Sequence, residues 1–258
     1  MQTIAYGEYP DQTGVLYMPA GGPPRSGWPV AVVVHGGSWR EMYRRDLTAP
    51  AAADLSRRGI AAWNIEFRRV GGDGGWPTTF EDIAAAVDLL PDLDAPLDLD
   101  RVAVVGHSAG GLLALWALGR HAGDPGGAPR VRPAAGCVLA PIADLGPLRE
   151  TTSDDPLAGL LGGTAQQVGD RWEAIDPIRR VGHGLPVVIG HGEDDEDVPL
   201  GQSRAYLAAA RAAGDPVELV TERGDHMAVV HPGSPAWQRP AERLAELLDA
   251  STMERAVG

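Results

Sequence analysis

Ser108 stands at the end of an apolar run, Val102-Ala103-Val104-Val105, inside Gly106-His107-Ser108-Ala109-Gly110, and a stretch rich in Leu, Ala and Trp follows it. A serine on a tight strand-to-helix turn projects its hydroxyl above the sheet. The flanking glycines leave room for strained backbone and for the helix to lie close on the strand. Ser108 is therefore the candidate nucleophile. A serine hydroxyl is weak at neutral pH and needs a base, a carboxylate to hold that base, and N–H donors for the oxyanion. For the acid, five consecutive candidates run from Glu193 to Asp197 after the apolar Val187-Val188-Ile189-Gly190. Chemistry alone leaves Asp194, Asp195 and Asp197 open. Ligands from consecutive residues cannot all converge on one ion, and the alternating positions of an EF-hand loop are missing, so no metal is expected.

Seven histidines compete for the base. His226, in Gly224-Asp225-His226-Met227, directly follows the last expected strand and leads; His231 is the runner-up. His121 and His183 fall in loops away from the strand ends and are expected to be solvated. His35, His107 and His191 lie in turn segments, where backbone hydrogen bonding is the ordinary role. For the oxyanion, the N–H after the nucleophile, on Ala109, pairs with a donor from His35-Gly36-Gly37-Ser38-Trp39. Gly37 leads there and Gly36 is the alternative. Gly71-Gly72-Asp73-Gly74-Gly75 is not a phosphate cradle: it contains an acid, has no Lys-Ser/Thr ending and runs into Trp76-Pro77.

These residues must be carried by a sheet. Thr3 to Tyr6 and Gly14 to Met18, separated by a Pro/Asp/Gly turn, suggest an N-terminal hairpin at a sheet edge. Val30 to Val34, Ile60 to Phe67, Val102 to Val105, Ala134 to Ala140, Pro186 to Gly190 and Pro216 to Thr221 are further expected strands. Most are unbroken apolar runs, as befits strands buried on both faces. Helices are expected from Thr48 to Arg58, from a Thr78-x-x-Glu81 capping box to Leu90, from Ala109 to Leu118, and from Ser203 to Ala213. A C-terminal helix could start at Ser234 followed by Pro235, although Pro240 argues for a start nearer Arg239. The alternation predicts an α/β chain with a mainly parallel central sheet and helices on both faces. Residues 141–185 show no strong strand; a cap at Thr164-x-x-Gln167 and leucines at 157, 160 and 161 suggest short helices forming a small lid.

The 258 residues, 44% hydrophobic, suffice for one sizeable core and read as a single domain. A net charge of −13 opposes nucleic acid and anionic membrane surfaces as partners. Cys137 is the only cysteine and lies in an apolar run, which points to core packing and a reducing compartment. Neither a signal peptide nor a membrane-spanning stretch is evident, so a cytoplasmic location is expected.

Larger motifs carry a resemblance. His-Gly-Gly-x-Trp at 35–39, Asn64-x-Glu66-Phe67-Arg68, Trp76-Pro77 before a helix bearing Asp82, and Gly-His-Ser-Ala-Gly-Gly at 106–111 resemble the α/β-hydrolase superfamily near the kynurenine formamidases. Related bacterial esterases and the catalytic domains of prolyl oligopeptidases share parts of the pattern. His191-Gly192-x-x-Asp195-x-x-Val198-Pro199 is similar to the acid-bearing signature of many members and selects Asp195. The resemblance implies the α/β-hydrolase fold and a cofactor-free serine hydrolase with Ser108, Asp195 and His226 as its triad. The implied substrate is a small-molecule ester, with an arylformamide as the alternative. A peptidase is disfavoured for want of a propeller domain, and a non-catalytic binder for its lack of need of a triad. Trp39 and Trp76 are candidate substrate-binding residues, Phe67 stands where relatives often have Tyr, and Glu66 with Arg68 is an expected ion pair.

Overall fold

The computed structural model describes residues 2–255 apart from 151 and 153. Eight strands form one sheet: β1 (Gln2–Ala5), β2 (Thr13–Tyr17), β3 (Trp28–Val34), β4 (Ala61–Ile65), β5 (Leu97–His107), β6 (Ala135–Leu139), β7 (Val187–Gly192) and β8 (Val217–Glu222), in the order 1-2-4-3-5-6-7-8. β1 and β2 make the N-terminal hairpin at one edge, β2 runs antiparallel to β4, and β3 to β8 are parallel to one another.

The apolar runs serve both faces. Val30, Val32 and Val34 of β3 join Trp63, Phe80 and Trp116 on one side; Ala31 and Val33 join Leu55, Trp237 and Leu244 on the other. Side chains alternate across a strand, so a strand covered twice must be apolar at every position. Helices α1 (Ala49–Arg57) and α8 (Pro235–Arg255) cover the second face, while α2 (Thr78–Asp88), α3 (Ala109–Leu118) and α7 (Gly201–Ala212) cover the first. Every residue of α3 is buried, which explains a helix without a polar stripe.

Two expected helix starts differ. The Thr78-x-x-Glu81 box does not form: the N-cap is Pro77 with helical backbone angles, so Thr78 already lies inside the first turn and cannot cap it. The neighbouring Thr79 hydroxyl instead accepts from Gly75 N–H and donates to Arg68 carbonyl, at 3.0 and 2.7 Å. At the other end of the chain α8 begins at Pro235 and passes through Pro240. The Pro240 ring packs where a side chain at Gly190 of β7 would stand, 2.6 Å from that Cβ position, so sheet contact offsets the lost helical hydrogen bond.

Between β6 and β7 lie short helices α4 (Pro156–Leu161), α5 (Ala165–Val168) and α6 (Asp170–Ile175), with Leu157, Leu160 and Leu161 buried beneath. The Gln167 side chain accepts from Thr164 N–H at 2.8 Å, as the motif requires. Positions 151 and 153 of this segment are outside the described residues. No helix among the described residues is long and apolar enough to cross a membrane.

Close approach of α3 to β3 depends on Gly110, where a Cβ would lie 2.3 Å from His35 carbonyl oxygen and 2.5 Å from that of Val34. Both are backbone atoms and cannot turn aside. Gly110→Ala is expected to destabilise the fold by about 3 kcal/mol in urea unfolding, as overpacking of a rigid contact does. Gly201→Ala, at a position with nothing within 4 Å, is expected to stay within about 0.5 kcal/mol of wild type.

Candidate active site

β5 ends at His107, and Ser108 turns the chain into α3 with φ 54° and ψ −122°, a backbone conformation costly for any residue with a Cβ. Its N–H donates to Leu139 carbonyl at 2.9 Å, and its carbonyl accepts from Gly111 and Ile142. Gly106 and Gly110 are both required, since a Cβ on Gly106 would stand 2.3 Å from the Gly110 carbonyl oxygen. The turn is thus clamped between two strands and the first turn of a buried helix.

The loop after β3 crosses in front of this serine. Gly37, Ser38 and Trp39 all have positive φ, at 102°, 50° and 56°. The Trp39 indole N–H donates to Ala109 carbonyl at 3.0 Å, tying the loop to the N-terminus of α3. Gly37 and Ala109 line the cavity beside Ser108. Gly36 is absent from the lining, because it packs against the turn: a Cβ there would meet His107 carbonyl oxygen and Ser108 Cβ, each at 2.9 Å.

His226 follows β8, in a turn whose Met227 and Ala228 N–H groups donate to the Asp225 carboxylate. Its Nδ1 lies 2.8 Å from Asp195 Oδ2. The other Asp195 oxygen accepts from the N–H groups of Asp197 and Val198 at 2.9 and 2.8 Å, so the buried carboxylate is fixed. With Nδ1 donating, Nε2 is the nitrogen left to exchange protons. Ser108 and His226 line one cavity of about 410 Å³. His107 packs its ring 4.7 Å from that of His226 and its Nε2 lies 3.0 Å from His226 carbonyl oxygen. Burial pushes its pKa down to about 3, so it is a neutral donor from Nε2.

Behind the loop sits a buried ionic group. Glu66 meets His35 Nε2 at 2.8 Å, Arg45 N–H at 3.1 Å, and the guanidinium of Arg69. Arg69 also reaches Asp11 at 3.0 Å. The expected Glu66–Arg68 pair is not formed: the chain leaves the sheet after Ile65, and Arg68 turns to the buried Asp82, 2.6 Å away, which also takes Gln12. Burial lowers the His35 pKa to about 3, so the Glu66 charge is balanced by Arg69; a neutral His35 donates through one nitrogen only, to Glu66 or to the Gly36 carbonyl 2.7 Å from its Nδ1. Phe67 stacks on His35 at 4.5 Å.

Other sequence candidates separate clearly. Trp39 lines the cavity, but Trp76 does not; its ring meets Phe80 edge-on at 5.2 Å as part of the core. His231 is exposed and accepts from Gly233 N–H of its own turn at 3.2 Å. His183, expected to be solvated, is partly buried with its pKa lowered by desolvation. His35, His107 and His191 each place a ring nitrogen beside a backbone carbonyl, of Gly36, His226 and Val198 at 2.7, 3.0 and 3.0 Å. Asp195, Asp197 and His226 place donor atoms within 4.8 Å of one another, but the Asp195 oxygens are already taken by His226 and backbone. Tyr43, Ile142, Leu148, Asp155 and Met227 complete much of the wall. They come from loops that carried no periodic signal.

A serine on this strained turn, at the carboxyl edge of a mainly parallel sheet and facing a carboxylate-held histidine, belongs to the α/β-hydrolase fold. Within that fold the chain belongs to the BD-FAE family, whose profile matches residues 16–209. Esterase LipQ of Mycobacterium tuberculosis (strain ATCC 25618 / H37Rv) is 29% identical over 198 residues, 72% of this chain; the chain spans about half, 46%, of that curated relative. A truncated carbohydrate esterase from gut microbiota superposes with a TM-score of 0.84 at 18% identity, covering 96% of each chain. Esterase B of Lactobacillus rhamnosis gives 0.82 at 22%, covering 98% of this chain and 86% of its own. At such identities these structures speak for the fold.

His35 and His107 are neutral when folded but take a proton near the ordinary imidazole value of 6.5 when unfolded. Because the folded values are depressed, the unfolded chain binds more protons between about 3 and 6.5. This stabilisation is complete above that window and lost as pH falls through it, by about 1.4 kcal/mol per pH unit per histidine. The urea midpoint should therefore drop between pH 7 and pH 5, and an unchanged midpoint would contradict the neutral assignment.

Proposed function

We propose that the protein is a serine carboxylesterase that works through an acyl-enzyme on Ser108. The observation that carries this reading is the 2.8 Å contact between His226 Nδ1 and Asp195 Oδ2 at the cavity that Ser108 also lines. Membership of the BD-FAE family and the esterase names of its relatives support it.

Ser108 Oγ attacks the ester carbonyl carbon as its proton passes to His226 Nε2. Asp195 holds the ring in the donating tautomer and stabilises the imidazolium. The N–H groups of Gly37 and Ala109 receive the oxyanion, in a loop and helix end held together by the Trp39 indole. The tetrahedral intermediate expels the alcohol, which takes its proton from His226, and leaves the acyl group on Ser108. Water then attacks the acyl carbonyl, giving a proton to His226 and, on collapse, releasing the acid and restoring the Ser108 hydroxyl.

Ser108→Ala is expected to lower kcat by on the order of a million-fold, leaving what binding and the oxyanion donors supply. Asp195→Asn, which presents the wrong tautomer, should cost about ten-thousand-fold. A fluorophosphonate should label wild type stoichiometrically and spare Ser108→Ala; a variant keeping a tenth of its turnover would sink the assignment. Substrate class is read from kcat/KM on a short-chain aryl ester beside N-formyl-L-kynurenine. The ester is expected to be the better substrate, and about 10⁴ M⁻¹s⁻¹ or more on the formamide alone would transfer the enzyme to the arylformamidases.

A further inference from the structure

Two carboxylates of the cavity wall have no part in the mechanism above. Asp197 is exposed to it, and Asp155, which caps α4 by accepting from Leu157 N–H at 2.8 Å, lines the facing segment. Among the described residues neither carboxylate has an ion-pair partner, and no arginine lines the cavity. The chain contains no lysine. Asp197 also stands within 4.8 Å of the donor atoms of Asp195 and His226, close to the reacting centre. With the Asp195 carboxylate beside them, the site holds three acidic side chains and neither arginine nor lysine. Trp39, Tyr43, Leu148 and Leu157 line the same wall, Trp39 and Leu157 from largely buried positions.

We infer that this cavity selects small esters bearing a positive charge, of the quaternary-ammonium type, and discriminates against anionic ones. The inference rests on the esterase reading for its turnover and on the cavity alone for its binding. Unpaired charges of one sign in a cleft with low-dielectric walls focus their potential, and each is worth on the order of tenfold for a unit charge about 7 Å away. Aromatic faces stabilise a desolvated quaternary ammonium, and aliphatic walls accommodate its methyl groups. An anionic ester meets the same field with the sign reversed, and this repulsion supplies most of the discrimination.

Binding is tested first, by calorimetry with phenyltrimethylammonium and benzenesulfonate. The cation should bind at least about tenfold more tightly, and its advantage should shrink as sodium chloride is raised. Asp155→Asn/Asp197→Asn should cut the preference by at least about tenfold, leaving what Asp195 and the aromatic residues supply; asparagine keeps the α4 cap, and Asp197→Asn alone, at an exposed position, should remove part of it. Turnover is read as the ratio of kcat/KM for acetylcholine to that for its uncharged isostere 3,3-dimethylbutyl acetate. That ratio should fall at least several-fold in the double variant. Equal binding of the two ions, or ratios and affinities unmoved by the substitutions, would overturn the inference. Cation binding that follows the substitutions while neither ester is hydrolysed would uphold the cavity's preference and strike the esterase reading instead.

Discussion

The left-handed backbone at Ser108 is the constraint from which the rest of the site follows. A non-glycine residue keeps φ 54° and ψ −122° only where its surroundings over-determine it. Here they do so from several sides: β6 accepts the serine N–H at Leu139, α3 begins at once and is buried on every side, and glycines at 106 and 110 let helix and strands touch through backbone. The serine is therefore aimed by the core of the protein rather than by the cavity. Its direction is set before any ligand arrives.

The opposing loop is held by different physics. Its positive-φ residues need anchors, and the Trp39 indole ties the front to α3 while Val70 N–H bonds the Trp39 carbonyl at 2.8 Å. Beneath them the Glu66–Arg69–His35 group binds the loop's first residue to the end of β4. Removing one member of a buried ion pair leaves an uncompensated charge, and such losses run to about 3–5 kcal/mol. A loop fixed by charge in the interior can hold its N–H groups steady without being part of the sheet.

Most of this architecture was legible because it has a local signature. Buried parallel strands announce themselves as unbroken Val, Ala and Ile, and the turn at Ser108 announces itself by glycines two residues to either side. Position after a strand picked out His226 without any pattern of its own. Asp195 was different: among neighbouring acids nothing local distinguishes it, and the resemblance of its segment was needed. What escaped the sequence is tertiary. Arg68 and Arg69 are adjacent and chemically alike, yet one finds Asp82 and the other Glu66, because the chain has left the sheet and alternation no longer rules. Trp76 packs against the core because it meets Phe80, whose ring in turn meets Trp116 of α3. Pro240 sits inside α8 because Gly190, fifty residues earlier, leaves space for its ring. The cavity walls from Ile142 to Leu157 arise from a segment whose short helices carry no period long enough to read.

The unpaired Asp155 and Asp197 side chains have a consequence beyond the choice of substrate. In the proposed reaction, hydrolysis turns an uncharged acyl group into a carboxylate anion within the same cavity. An anion formed beside fixed negative charges is expelled by them, so the acid product competes poorly for the emptied site. On the proposed function, turnover would be protected against accumulation of its own product, with release of the acid an electrostatic step set by the wall.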